Sequence, residues 1–130
     1  MIGHLFAYGT LQHGHAPQEM TAAVGQLRAV GRGTVAGALY DMGDYPGAIL
    51  NPEAQEKIRG TIFALPADPE FLRNLDAYEE YDPAAPAGSQ FLRTACTAEL
   101  DSGALVECWI YVYNRPVAAA PRIEGGQWPP

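Results

Sequence analysis

The chain has 130 residues, 48% hydrophobic and 18% charged, the balance of one globular domain (1–130) with its own core rather than of a disordered chain. Its formal net charge is −7 with no run of Lys or Arg, so a phosphate backbone would be repelled and nucleic acid is excluded as the expected partner. No apolar run approaches the ~20 residues of a membrane span, and Met1–Tyr8 has neither the basic start nor the apolar length of a signal peptide, so a cytoplasmic protein without a membrane partner is expected.

Eleven prolines and fourteen glycines announce many turns, hence a strand-rich fold with short connections. Leu5–Tyr8 is a short apolar run closed by Gly9 and reads as a buried first strand. His13–Pro17 follows as a loop, and Glu19–Val24 as a short helix. From Ala29 to Leu50, glycines at 31, 33, 37, 43 and 47 divide Val, Leu, Tyr and Ile stretches into two or three short strands, with a turn at Asp44–Gly47. Lys57–Ala64 is the next strand, centred on Ile62 and Phe63. Asp68-Pro69-Glu70 then starts a helix, with an N-cap acid, proline at the first helical position and an acid at the positive end of the dipole. That helix runs to about Tyr78 or Glu79. Pro83–Gly88 is a loop, and Gln90–Leu100 with Leu105–Tyr113 form a hairpin over Asp101–Ala104. Pro116 ends the last strand, and the tail is rich in Pro and Gly, with Trp128 suited to packing it on the body.

Strands on both sides of a central helix, without βαβ units, imply an α+β fold: a small mixed, largely antiparallel curled sheet or barrel flanked by helices. Curling toward a barrel would remove exposed sheet edges. Cys96 and Cys108 fall on adjacent strands, where one register would permit a bridge; two reduced core thiols are the expectation in a cytoplasmic protein.

The helix places one carboxylate differently from its neighbours. With Phe71 at the origin and about 100° per residue, Leu72, Leu75 and Tyr78 form one apolar stripe, and Glu79 falls inside it near about 80°. Glu80 lies on the opposite, wet face with Asp76 and Arg73. An inward Glu at a helix C-terminus is penalised by burial and by the dipole, and both raise its pKa toward neutrality. Two readings are open there: an acid/base catalyst, or a carboxylate neutralised by an arginine, with Arg93 the candidate. Gly9, directly after a strand, can likewise be an ordinary turn, or a nest whose N–H groups hold a carboxylate or oxyanion, with Thr10 adding a hydroxyl and Tyr8 a phenol at the rim. His13 and His15 flank a glycine with no ligand cluster nearby, so no metal site is expected. Tyr113 and Tyr111 alternate with Trp109 on one strand face as core residues, Tyr113 at the edge of the pocket. Arg93 is a candidate to orient Glu79 or to bind a substrate carboxylate, and equally an ordinary ion pair.

Phe6-Ala7-Tyr8-Gly9-Thr10-Leu11, Leu39-Tyr40-Asp41, Tyr45-Pro46-Gly47-Ala48, Gly60-Thr61-Ile62-Phe63, Leu75-Asp76-Ala77-Tyr78-Glu79 and Trp109–Tyr113 follow one another in order. Over essentially its whole length the chain resembles the gamma-glutamylcyclotransferase-like (AIG2-like) family. The resemblance implies a small mixed α/β domain on a curled sheet or barrel, needing no metal or organic cofactor. It implies that Tyr8, Gly9, Thr10 and Leu11 bind a gamma-glutamyl moiety and that Glu79 is general base and acid. The implied activity is release of 5-oxoproline and a free amine from a small gamma-glutamyl amine or related conjugate. Two departures stand out: Glu80 occupies a position where relatives often carry a small residue, and Ala84–Ser89 looks like an inserted loop at the pocket mouth. They motivate a rival from another class, a non-catalytic ligand-binding or interaction protein that keeps the fold and pocket.

Overall fold

The computed structural model describes residues 2–9 and 27–129. Among these, the strands are β1 (His4–Ala7), β2 (Arg28–Asp41), β3 (Pro46–Leu50), β4 (Lys57–Ala64), β5 (Phe91–Leu100) and β6 (Leu105–Tyr113). One α-helix, α1 (Pro69–Tyr78), and a 3-10 turn at Pro86–Gly88 complete the described elements. The expected Glu19–Val24 helix, the His13–Pro17 loop, and Thr10 and Leu11 lie outside the described residues.

The sheet runs β3-β2-β4-β1-β6-β5, and a β2–β5 pairing through Gly33↔Leu100 and Thr34↔Glu99 joins its ends. Strands β2, β4, β1, β6 and β5 therefore close a mixed barrel, with β3 extending from the far half of β2. β1 and β6 are parallel and the other pairings antiparallel, so the expected curled, largely antiparallel sheet is a closed one.

The glycines of the 29–50 segment do not break it as expected. β2 runs fourteen residues without interruption, and the chain reverses only at Met42–Tyr45, where the Met42 N–H bonds the Tyr45 carbonyl at 3.0 Å. Pro46 and Gly47, expected in the turn, already belong to β3. The glycines serve close approach instead. A Cβ on Gly33, where β5 crosses β2, would stand 2.7 Å from the Glu99 carbonyl oxygen. A register shift between Ala29 and Gly31 adds a bend, as barrel closure requires of a long strand.

Alternation along β1 separates two apolar clusters. Phe6 joins Val35, Ile58, Ile62 and Ile110 inside the barrel, while Leu5 and Ala7 face the layer beneath α1. There Phe71 and Leu75 of the helix pack on Phe63 and Tyr111, each contributing roughly 1.5–3 kcal/mol by leaving water. The helix begins as its sequence predicts: Asp68 caps it by accepting the Glu70 N–H at 3.0 Å, with Pro69 at the first position. It ends in a Schellman arrangement, Tyr81 N–H to the Asp76 carbonyl at 2.8 Å and Glu80 N–H to the Ala77 carbonyl at 3.2 Å.

The β5–β6 hairpin forms over the expected turn and pairs Cys96 directly with Cys108. This is the register in which a bridge was conceivable, and both thiols are free. Burial pushes Cys96 up to about 12, with Cys108 adding to it, and burial alone takes Cys108 up to about 11. The tail packs on the body through Ile123 and Trp128, both against the barrel-filling cluster. Among the described residues, no helix is long and apolar enough to cross a membrane.

Candidate active site

β1 carries Tyr8 and Gly9 to the rim of the barrel, and α1 ends opposite them with Glu79. Between the two lies a cavity of about 360 Å³, whose polar lining includes Tyr8, Tyr45, Glu79 and Gln90 with the Gly9 backbone. The local folding rules that bring these together are simple. A strand ending in glycine passes close under a neighbour (a Cβ on Gly9 would sit 3.0 Å from Pro46 Cγ), and a helix ending in a Schellman turn fixes the residue at its cap.

Glu79 is that cap residue, half-buried, its N–H on the Leu75 carbonyl at 2.9 Å. Among the described residues no cation pairs with its carboxylate. Burial pushes its pKa up to about 7, and the neighbouring Glu80 charge adds to the rise. A carboxyl with that value can accept and return a proton near neutral pH.

Tyr8 lines the cavity, but its hydroxyl is turned into the fold: it donates to the Tyr111 carbonyl and accepts from the Ala48 N–H at 3.3 Å. Burial, and secondarily the Glu79 charge, hold this phenol far above its ordinary range, so it stays protonated. Tyr113 stands behind the wall, in ring contact with Phe91 at 5.4 Å and Tyr45 at 6.4 Å, both of which line the cavity. Tyr45 accepts a hydrogen bond from Gln90 Nε2 at 2.8 Å, which ties the β2–β3 turn to the start of β5 across the mouth.

Arg93 does not lie on the cavity wall. Its Nε and terminal NH2 reach Asp76 at 2.9 and 3.3 Å, and its guanidinium lies 4.4 Å from the Trp109 ring centre. Asp76 itself corrects the sequence reading. Expected on the wet face, it is 5% exposed and also accepts the Tyr111 hydroxyl at 2.7 Å. At about 140° on the wheel it borders the apolar stripe, and β5 and β6 bring a guanidinium and a phenol to that border. Gln90 and Asp44 are further cavity residues that the sequence reading did not single out. The only signal for Gln90 was its place at the junction of the Pro/Ala loop and a strand.

The inserted-looking loop is pinned. Ser89 Oγ accepts the Asp82 N–H at 2.8 Å, and Arg115 donates to the Ser89 and Gly88 carbonyls at 2.7 and 3.0 Å. These bonds fix where Gln90 enters the mouth. Among the described residues no group of three His, Cys, Asp or Glu side chains is placed to hold a metal.

Among the described residues, a small closed mixed barrel thus carries one helix, whose C-cap carboxylate stands across a cavity from the Gly9 turn. Residues 5–130 match the family described as Gamma-glutamyl cyclotransferase, AIG2-like, and the chain belongs to that family. The gamma-glutamylcyclotransferase family protein YtfP of Escherichia coli K12 is 29% identical over 126 residues, covering 95% of this chain and 94% of the relative. The solution structure of E. coli YtfP matches with a TM-score of 0.65 and 26% identity over 96% of this chain and 95% of that one. An AIG2-like protein from Mus musculus matches with a TM-score of 0.72 at 24% identity, over 95% of this chain and 86% of that one, a likeness of fold.

Proposed function

We propose that the protein is a cyclotransferase that converts a gamma-glutamyl amine, or a related gamma-glutamyl conjugate, into 5-oxoproline and a free amine. The observation that carries this reading is the Glu79 carboxyl: it lines the cavity, has no cation partner among the described residues, and has a pKa raised to about 7. Membership of the family supports the same class of substrate.

Both reacting groups belong to one molecule, so the protein has only to fold the substrate and move one proton. The substrate's alpha-amino group has an ordinary pKa of about 7.7–8.0, close enough to that of Glu79 for transfer in either direction. In its neutral form this nitrogen attacks the gamma-carbonyl carbon and closes the five-membered ring, and the Glu79 carboxylate takes the proton that the nitrogen sheds as it becomes the lactam N–H. The carbon–nitrogen bond to the leaving amine then breaks, and Glu79 returns the proton to that amine. The Gly9–Leu11 backbone supplies N–H groups for the alpha-carboxylate or for the oxyanion that develops at the carbonyl.

The test is incubation with a panel of gamma-glutamyl amines, gamma-glutamyl dipeptides and gamma-glutamyl-lysine, with 5-oxoproline detected by mass spectrometry. Glu79→Gln keeps the shape and removes the base, so product should disappear. Product surviving in Glu79→Gln overturns the mechanism, and no product from any substrate with the native protein favours a non-catalytic binding role.

A further inference from the structure

Asp76 lies one turn before Glu79 on α1, and it is the hub of a buried network that the reaction as described does not use. It accepts from Arg93 of β5 and from Tyr111 of β6, while the Tyr111 carbonyl accepts from Tyr8, just after β1, and the Tyr8 hydroxyl accepts from Ala48 of β3. A chain of bonds thus runs from the guanidinium through the helix to three strands, and both tyrosines in it line the cavity.

The charges in this network are arranged in a way that geometry alone does not require. Arg93 is a half-buried cation bonded to Asp76, which also holds Tyr111 of the cavity wall; among the described residues the Glu79 carboxylate has no cation partner, and Asp76, Glu79 and Arg93 all lie near enough to the Tyr111 hydroxyl to act on it electrostatically. An arginine in such a place would ordinarily pair with the nearest free carboxylate and hold it ionised. It is instead held by two bonds to Asp76 and lies over the Trp109 ring.

We propose that Asp76 is a positioning residue that sequesters the Arg93 guanidinium, keeping that cation from Glu79, and that fixes Tyr111 as a wall of the same pocket. Paired with each other, Asp76 and Arg93 present almost no net charge to Glu79. Among the described residues, the other groups facing Glu79 are the Tyr8 phenol, just after β1, and the Tyr111 phenol of β6. Glu80 acts on it from its own segment, and Asp44 and Tyr45 stand on the cavity wall in the β2–β3 turn. None of these is a cation, so releasing Arg93 supplies a counter-ion that Glu79 lacks among the described residues.

The decisive measurement is the titration of Glu79 itself, followed through its side-chain carboxyl carbon by NMR on protein labelled with carbon-13 glutamate and assigned by its loss in Glu79→Gln. Asp76→Asn keeps an acceptor for Tyr111 and frees the guanidinium, so the Glu79 midpoint should fall by about one pH unit or more. Arg93→Gln leaves Asp76 an unpaired anion, and the midpoint should rise. The double variant Asp76→Asn/Arg93→Gln should return to near the native value. A midpoint that does not move in Asp76→Asn, or one that falls equally in the double variant, overturns the proposal. If Asp76→Asn does not fold, the Arg93→Gln shift decides: upward supports it, while an unchanged or lowered midpoint overturns it. The consequence for turnover rests on the cyclotransferase reading, where the acid limb of kcat/KM should move with the titration. The NMR midpoint needs no activity, so failure of one is distinguishable from failure of the other.

Discussion

Glu80 follows Glu79 with a backbone φ of 56°, the left-handed conformation of a helix C-terminal turn, and its charge adds to the rise in the Glu79 pKa. Glycine is the usual occupant of that position because it has no Cβ to clash with its own carbonyl. The residue after the acid/base candidate is thus strained by its conformation and coupled by its charge. Replacing it separates the two effects. Glu80→Gly should stabilise the fold by about 1 kcal/mol in denaturant unfolding and lower the Glu79 titration midpoint. Glu80→Gln removes the charge but keeps the strained φ, so it should lower the midpoint without the gain in stability. Equal stability changes in the two variants would contradict this assignment of strain.

The raised pKa of Glu79 also has a sign in the stability of the fold. Its ordinary value is 4.5 and its folded value about 7, so the folded protein keeps a proton that the unfolded chain releases between those two values. Stability associated with this group is therefore complete below pH 4.5 and is lost as pH rises through 7, a difference on the order of 3 kcal/mol. Glu79→Gln cannot titrate, so its stability relative to the native protein should improve steadily from pH 5 to pH 8, as read by urea midpoints. In the cyclotransferase reading, kcat/KM of the native protein should show an acid limb centred near the same value of about 7. A stability difference that is constant across this range would place Glu79 in a more solvated setting than the fold gives it.

How much of this was legible in the sequence depended on the distance between partners. The α1 boundaries, its Asp68 cap, the β5–β6 hairpin and the inward face of Glu79 all rest on interactions within a few residues, and periodicity reports those directly. Asp76 departs from the wheel's wet face because what buries it comes from Arg93 and Tyr111, 17 and 35 positions further along. Propensity has no access to a guanidinium that distant. The 14-residue β2 was divided for a related reason: a glycine needed for close approach to β5 is the same letter as a glycine needed for a turn. Only the barrel topology tells them apart.

The cavity wall carries Asp44, Glu79 and Glu80, and among the described residues no Lys, Arg or His lines it. In the cyclotransferase reading, a gamma-glutamyl conjugate whose leaving amine bears a further positive charge should therefore be preferred over one whose leaving amine bears a carboxylate. Asp44 and Glu80 are exposed and screened, so the expected preference in kcat/KM is modest, about 3–10-fold at low ionic strength, shrinking at high salt. The double variant Asp44→Asn/Glu80→Gln should narrow it further. A preference that ignores both salt and these substitutions would have to come from shape instead.

The C-terminal segment is bonded to the barrel wall and should contribute to its stability. Ile123 N–H bonds the Leu39 carbonyl at 2.7 Å, Asp41 N–H the Pro121 carbonyl at 2.8 Å, and Arg59 N–H the Gly126 carbonyl at 2.7 Å, so the segment joins β2 to β4. Gly126 and Gly125 test this attachment as a matched pair. Both have positive φ, 64° and 85°, so alanine at either meets the left-handed penalty of roughly 1–2 kcal/mol. A Cβ on Gly125 meets open space, whereas one on Gly126 would stand 2.0 Å from the Lys57 carbonyl oxygen, backbone that can yield only by moving β4. Gly126→Ala should thus cost at least about 2 kcal/mol more than Gly125→Ala in urea unfolding. Because the segment covers the barrel interior rather than the Glu79 cavity, Gly125→Ala should leave the titration of Glu79 unchanged. Equal costs for the two alanines would mean that the segment lies on the barrel without helping to hold it closed.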